Sequence, residues 1–430
     1  MWFLKRKPLV ALGIDISRYS IEICALTSER DVVAYERVAM GEGSLQIGNV
    51  AENDMLRMNL DQALAKLYTR AGNLHGVRVV TNIPEQHTYV RYFDVPVDVS
   101  GNDLLLHLQK EAGKVIPLEP RDMTATYVVL GKPEKSKATK RVLFAATRKD
   151  ITRTILEAFH AVGIDDPVLD IESMALMRSL LPAKSQPGAV CILDGGSEVS
   201  SIHIFEGLSA PVVSVAYPEG GVHATRRIAE KLKLSFEEAE KMKHAFGFLK
   251  APRVPLESGA KTSTADDTVA GEISSILHDW YQPLLSEFHK TIAFYEAHEN
   301  KRVSHVILSG GAALLPGIIP YSTTWMERPV RVGNPLGNLR NSEILGKDKP
   351  SVLYAVGIGL ALRGIDSSAA GVDFTHGVIS ETKNKFSLVS KQWMVFMLAL
   401  LAAILVAAAL YGVSSFFNND SVYLYERPHD

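Results

Sequence analysis

The sequence predicts an α/β protein of two related lobes, with an α+β block inserted in the first lobe and one membrane-crossing helix near the C-terminus. Three observations carry this. A strand–turn–strand unit with an Asp in its turn occurs at residues 9–27 and again at 188–208. Between the two lies a compact strand–helix–strand–strand–helix block. The run Trp393 to Val413 is roughly 21 residues without a charge, the length a helix needs to cross a bilayer. The two hairpin units share form but little sequence, and no solenoid period is visible.

Taken in order, Leu9 to Thr27 reads as two strands around a polar turn, Asp31 to Met40 as a third strand, and Glu52 to Ala71 as a helix by its apolar spacing. A returning strand at Gly76 to Asn82 stops at Pro84. The inserted block follows, with strands at Thr88–Val95, Ala125–Leu130 and Arg141–Ala146 and helices at Asp103–Val115 and Asp150–Val162. A charged loop, Gly131 to Lys140, joins its last two strands. Next come a short strand at Val168–Asp170, the helix Ser173–Leu181, the second hairpin, and helices at Val222–Leu232, Ser235–Ala245 and Val269–Ala297. A polar loop covers Ala251 to Ala265. A strand at Val303–Leu308 runs into Gly310-Gly311, and a small-residue helix spans Val352–Leu362. This divides the chain into 1–81 and 165–208 (first lobe), 82–164 (insertion), 209–349 (second lobe), 350–370 (closing helix), 371–391 (linker), 392–417 (membrane helix) and 418–430 (tail).

Composition excludes several classes. With 430 residues, 47% hydrophobic and 22% charged, the chain can bury a core and is not disordered as a whole. A formal net charge of −2 offers no basic face for nucleic acid. The two cysteines, Cys24 and Cys191, sit inside apolar strands and read as small buried hydrophobes, so the body belongs in a reducing compartment. The N-terminus lacks the apolar core and cleavage site of a signal peptide. The histidines form no His-x-x-x-His pair, no Gly-x-Ser-x-Gly elbow is present, and no Gly-x-x-x-x-Gly-Lys-[Ser/Thr] loop exists.

The uncharged run is flanked by aromatics, Trp393 on one side and Tyr411, Phe416 and Phe417 on the other, as at membrane interfaces. Lys383, Lys385 and Lys391 precede it and Asn418, Asn419 and Asp420 follow. The positive-inside rule then puts the large N-terminal part in the cytoplasm and the tail outside. A buried core helix is the other reading of such a run.

Three turns carry chemistry. Gly13-Ile14-Asp15-Ile16-Ser17 closes the first hairpin and Cys191-Ile192-Leu193-Asp194-Gly195-Gly196-Ser197 the second. Small residues there let backbone amides approach phosphate, and Asp15 and Asp194 can hold Mg²⁺ through water. One such turn says little; two facing turns say more. In the third element, Val306-Ile307-Leu308-Ser309-Gly310-Gly311-Ala312, a strand meets glycines that open a helix, where bare backbone can lie against an adenosine.

In this order the three turns resemble the phosphate-1, phosphate-2 and adenosine motifs of the actin/Hsp70/sugar-kinase superfamily. Pro218-Glu219-Gly220-Gly221 and Leu234-Ser235-Phe236-Glu237-Glu238-Ala239-Glu240-Lys241-Met242-Lys243 are similar to FtsA and, more closely, to the pilus proteins of the PilM family. Val90 to Pro96, Leu143 to Lys149, Leu169 to Ser173 and Ala355 to Gly364 add to that resemblance, which covers roughly residues 1–370. It implies a bilobed actin-like ATPase fold, each lobe on a five-stranded mixed sheet, with ATP and Mg²⁺ in the cleft. Contacts would come from Asp15, Ile16, Ser17, Asp194, Gly195, Gly196, Ser197, Gly310, Gly311 and Ala312, with Glu240 and Lys243 at the ribose and base. A solvated helix with a Ser235–Glu238 capping box is the plain alternative for the last two. Glu172 either orients an attacking water or is simply an acid at a helix start.

The implied role is an ATP-binding scaffold of the type IV pilus inner-membrane platform, at most a slow ATPase. Its implied partners are a PilN-like membrane protein, docked through the insertion, and other platform components. The alternatives are a sugar or metabolite kinase of the same superfamily and an FtsA-like divisome protein. The family usually places Lys seven residues after the first Asp; here Glu22 stands there. Either Glu22 faces the phosphates, with Arg18 swinging in to compensate, or it points away.

Overall fold

The computed structural model describes residues 9–40, 50–71, 76–131, 138–182, 188–248, 265–341, 351–366 and 369–376. The expected membrane helix, its flanking lysines and the tail lie outside the described residues, as do the loop at 251–264 and most of 131–140. Among the described residues no helix is long and apolar enough to cross a membrane.

The chain opens with β1 (Leu9–Ile16), β2 (Ser20–Thr27), β3 (Val32–Ala39), α1 (Val50–Ala71) and β4 (Arg78–Ile83). Then come β5 (Tyr89–Pro96), α2 (Gly101–Ala112), β6 (Met123–Gly131), β7 (Thr139–Arg148) and α3 (Lys149–Ala161), followed by β8 (Val168–Ile171) and α4 (Glu172–Leu180). The rest is β9 (Ala189–Gly195), β10 (Ser200–Phe205), β11 (Val213–Tyr217), α5 (Gly221–Leu232), α6 (Phe236–Phe246), α7 (Ala265–Glu299), β12 (Val303–Ser309), α8 (Ile318–Met326), β13 (Val330–Val332) and α9 (Ala355–Ile365).

Two five-stranded sheets, β3-β2-β1-β4-β8 and β11-β10-β9-β12-β13, share one topology. In each, three antiparallel strands are extended by two parallel ones. The duplication of hairpins read from the sequence is a duplication of whole sheets, and the expected division at 208 is corrected: the second hairpin, β9–β10, was assigned to the first lobe with 165–208 but pairs with β11 and β12 in the second sheet, so the second lobe begins at β9. A third sheet, β5-β7-β6, belongs to the insertion. The edge strands β11 and β13 escaped the sequence reading. β13 spans only Val330–Val332 and β11 is half-exposed without a clean alternation, so neither has a period to detect.

The central strands are apolar on both faces because helices cover both. On one side of the first sheet, Leu56, Leu60, Leu64 and Leu67 of α1 join Ile151, Ile155 and Phe159 of α3 in one core. On the other side, α4 and α9 lie between the two sheets. Ala175 and Leu176 of α4 and Val356 and Leu360 of α9 share a core with Val80 of the first sheet and Ile192 and Ile307 of the second. The fit of α9 on β1 is backbone to backbone: a Cβ on Gly13 would lie 1.9 Å from the Gly357 carbonyl oxygen.

A buried ion cluster fixes this joint. Asp170 is fully buried, with Arg178 Nη2 at 2.6 Å and Arg363 Nη1 at 2.7 Å from its Oδ2. Its Oδ1 accepts the Ile171 and Val372 amides. Burial would raise this carboxyl; the two guanidiniums outweigh it and hold it below the usual range. Asp170 thus ties β8 to α4, α9 and the segment at Val372.

Candidate functional site

The β1–β2 turn, the β9–β10 turn and the turn after β12 converge on one cavity of about 590 Å³. The size is that of a small-molecule site. Asp15, Ser17, Glu172, Asp194, Gly195, Gly196, Ser197, Glu240, Lys243, Gly310, Gly311 and Ala312 all line it. Of the residues expected there, Ile16 does not. Its side chain lies in the first-sheet core and its amide donates to Asn82 Oδ1 at 2.8 Å.

Asp15 and Asp194 are each the last residue but one of their strand, β1 and β9, and both are buried. Burial, and then the charges of Glu22 and Asp194, raise the Asp15 carboxyl well above its ordinary value. Asp194 is raised by burial, offset by a hydrogen bond with Ser309. Glu172 opens α4 and also lines the cavity. Asn82 Nδ2 donates to its Oε1 at 2.9 Å, and the Glu85 amide does so at 3.1 Å. Burial, with Asp15, Glu85 and Asp194 nearby, raises Glu172 well above the usual range. Glu85 is pushed up to about 7, first by burial and then by Asp194. Four buried carboxyl groups, Asp15, Glu85, Glu172 and Asp194, thus press on one another, and three of them, all but Glu85, line the cavity. Among the described residues, no three of His, Cys, Asp or Glu gather closely enough to hold a metal ion directly.

Asn82 organises this cluster: its Oδ1 accepts from the Ile16 amide, and its Nδ2 donates to the Ile16 carbonyl at 3.2 Å as well as to Glu172. The sequence offered no signal for Asn82 or Glu85, since neither lies in a motif; the parallel pairing of β4 with β1 and β8 brings them in.

The glycines serve the approach of one turn to another. A Cβ on Gly195 would meet Ala312 Cβ at 2.4 Å. Gly310 has φ +75°, and a Cβ there would lie 2.5 Å from the Gly195 carbonyl oxygen. A Cβ on Gly311 would meet nothing within 4 Å, so Gly311 is the one of these whose bareness opens onto the cavity. The expected helix after these glycines is a single 3₁₀ turn, Gly311–Leu314; α8 begins only after Gly317, whose φ is +79°.

On the opposite wall, Lys243 is buried and donates to Glu240 Oε2 at 2.7 Å, Thr225 Oγ1 at 2.8 Å and the Gly221 carbonyl at 3.1 Å. His244 lies 3.1 Å from Glu240 Oε1. Burial opposes the Glu240 carboxylate, yet hydrogen bonds from His244, Lys243 and Thr225 and the Lys243 charge bring it down to about 2. Ser235 and Glu238 do form a capping box at the start of α6. Glu240 and Lys243 therefore face the cavity as a locked pair, joining α6 to α5.

The two hairpin turns also touch each other. Arg18 Nη1 lies 2.7 Å from Glu198 Oε1, Tyr19 stacks on Phe236 with centroids 6.4 Å apart, and Arg226 reaches the Tyr19 hydroxyl at 3.4 Å. Arg18, expected to swing toward the cleft, is engaged across it.

Comparison with known proteins identifies this arrangement. The family described as type IV pilus assembly protein PilM matches residues 13–251, more than half of the chain. The chain belongs to the PilM family. Residues 191–359 also match the family of cell division protein FtsA. The FtsA of Neisseria meningitidis serogroup B is 21% identical over 192 residues, 43% of this chain and 45% of that protein, so the chain spans less than half the length of this curated relative. Among solved structures, the PilM-PilN type IV pilus biogenesis complex has a TM-score of 0.67 at 21% identity, covering 83% of this chain and 98% of that one. The ethanolamine utilization protein EutJ from Carboxydothermus hydrogenoformans gives 0.49 at 15% identity, covering 82% and 89%. The PilM-family member described here thus has the actin-like ATPase fold that its sequence resemblance implied.

Proposed function

We propose that this PilM-family protein is an ATP-binding scaffold of the type IV pilus inner-membrane assembly platform and docks a PilN-like membrane protein through the inserted β5-β7-β6 subdomain. The observation that carries the reading is the convergence of three motif turns, from two sheets of the same topology, on one cavity of about 590 Å³. Family membership supports the pilus role, and the neighbouring PilM-PilN complex supports the partner.

The residues fit a magnesium nucleotide. Clustered carboxyl groups that resist ionising together suit a divalent cation, which would sit near Asp15 and Asp194 and bind through water. The open Cβ position of Gly311 leaves room for an adenosine beside Ala312. Glu240 offers an acceptor already ionised at neutral pH, suited to ribose hydroxyls. Ser17, Gly195, Gly196 and Ser197 would lie along the phosphates, and Glu172, fixed by Asn82, is placed to hold a water. The nucleotide would supply binding energy that joins the two lobes. With Glu22 in place of the usual Lys, turnover is slow and the nucleotide is chiefly a structural ligand. The uncharged run at 393–413 anchors the protein as a single span, with the lobes on the cytoplasmic side.

The test is calorimetry of magnesium ATP against wild type and Asp194→Ala. Wild-type binding that is lost in the variant, with the melting profile intact, supports the reading. Unchanged affinity in the variant overturns the site. A peptide of the PilN-like partner that still binds after removal of the inserted subdomain overturns the docking assignment.

A further inference from the structure

Asp15, Glu22 and Arg37 form one row across three strands. Asp15 pairs with Glu22 between β1 and β2, and Glu22 pairs with Arg37 between β2 and β3. Residues opposite one another in a sheet project from the same face. All three side chains line the cavity. Asp15 and Glu22 are buried, whereas 40% of the Arg37 side chain is exposed.

The local bond orients the guanidinium. Arg37 Nε donates to Glu22 Oε1 at 2.7 Å. That uses one of the five N–H donors of a planar fork whose geometry matches phosphate oxygens. Among the described residues, the other basic residues that line the cavity, Lys241, Lys243 and His244, all lie on α6. Lys243 is committed to Glu240, Thr225 and Gly221, and Arg18 to Glu198. Among the described residues, the cation lining the cavity from the sheet that carries Asp15 is Arg37.

We propose that Arg37 binds the terminal phosphate of the nucleotide, supplying positive charge from β3 beside the carboxyl groups of Asp15 and Glu22. The inference rests on the nucleotide reading of the cavity and adds a consequence to it: the site distinguishes a triphosphate from a diphosphate through Arg37. A guanidinium held at its Nε by a carboxylate presents the fork edge-on, which favours bidentate contact with a phosphoryl group over contact with water.

The experiment titrates the purified full chain with magnesium ATP and magnesium ADP by calorimetry, for wild type, Arg37→Gln and Arg37→Lys. Wild type is expected to favour ATP. Arg37→Gln is expected to lose tenfold or more in ATP affinity while ADP affinity stays within threefold, and Arg37→Lys to keep part of the preference. Equal losses for both nucleotides, or no loss for ATP, overturn the role of Arg37 while leaving the nucleotide site standing. Failure of wild type to bind either nucleotide overturns the nucleotide reading and the inference with it. Should Arg37→Gln fold poorly, Arg37→Lys decides alone: an ATP preference identical to wild type, with its altered fork, overturns bidentate recognition.

Discussion

Glu22 and Arg37 face each other across β2 and β3, with Arg37 Nε 2.7 Å from Glu22 Oε1. Burial raises the Glu22 carboxyl, and the Arg37 charge and bond pull it back. The carboxylate that seemed, from the sequence, to confront phosphate is thus half of an ion pair on the cavity wall. Glu22→Gln keeps an acceptor for the Nε–H while removing one negative charge from that wall. Charges about 4 Å apart repel by about 4 kcal/mol at an effective dielectric of 20; with Arg37 and water screening most of that, a remaining repulsion of about 1.4 kcal/mol corresponds to about tenfold tighter magnesium ATP binding, expected by calorimetry. Glu22→Lys would set two cations opposite each other on neighbouring strands, which destabilises a sheet. Its melting temperature should fall, although sequence comparison alone would call the change restorative.

Gly310 and Gly311 should respond differently to the same substitution. Gly310→Val must accommodate φ +75° and a Cβ 2.5 Å from the Gly195 carbonyl oxygen, so it should unfold the turn and lower the melting temperature. Gly311→Val meets no atom within 4 Å, so it should fold normally and lose nucleotide affinity by bulk alone. Melting and calorimetry on the two variants check this; normal nucleotide binding by Gly311→Val would move the adenosine elsewhere.

The carboxyl cluster sets a pH dependence. Glu85 in the folded protein titrates near 7, above its ordinary 4.5, so the folded state holds that proton more tightly than the unfolded chain. Its contribution to stability is present below about 4.5 and is lost as pH rises to about 7. Asp15, Glu172 and Asp194 are raised too and act in the same sense. Glu240 acts oppositely, but only as pH falls toward about 2. The melting temperature without nucleotide should therefore drop between pH 5 and pH 8. Glu85→Gln should flatten that slope, and millimolar Mg²⁺ at pH 8 should recover part of the loss.

Asp170→Ala would leave Arg178 and Arg363 buried without their counter-charge. Removing one partner of such a cluster costs about 3–5 kcal/mol. Because α4 and α9 sit between both sheets, the loss should appear as one cooperative shift in chemical denaturation and not as the melting of one lobe. Two separate transitions would contradict a shared core.

Deleting residues 393–430 should release the protein from membranes into the soluble fraction, and a reporter active only outside the cytoplasm should work when fused after Asp430. A truncated protein that stays on the membrane through a high-salt wash would place the anchor elsewhere.

Much of this protein was legible in its sequence. Apolar strand runs around Asp15 and Asp194 fixed the two hairpins, because strands buried on both faces admit little else. The glycine turns gave the cavity its third side, and the resemblance gave Glu240 and Lys243. Local pattern could not say that Ile16 spends its amide on Asn82, nor that Glu85 joins the acidic cluster, because both depend on β4 lying parallel between β1 and β8. It could not say that Arg37 faces Glu22 or that Arg18 bridges to Glu198, residues 180 positions apart. Hydrophobic periodicity reports which face of an element is buried; which charges meet is decided by register and by the packing of one lobe on the other, and that is fixed only when the chain has folded.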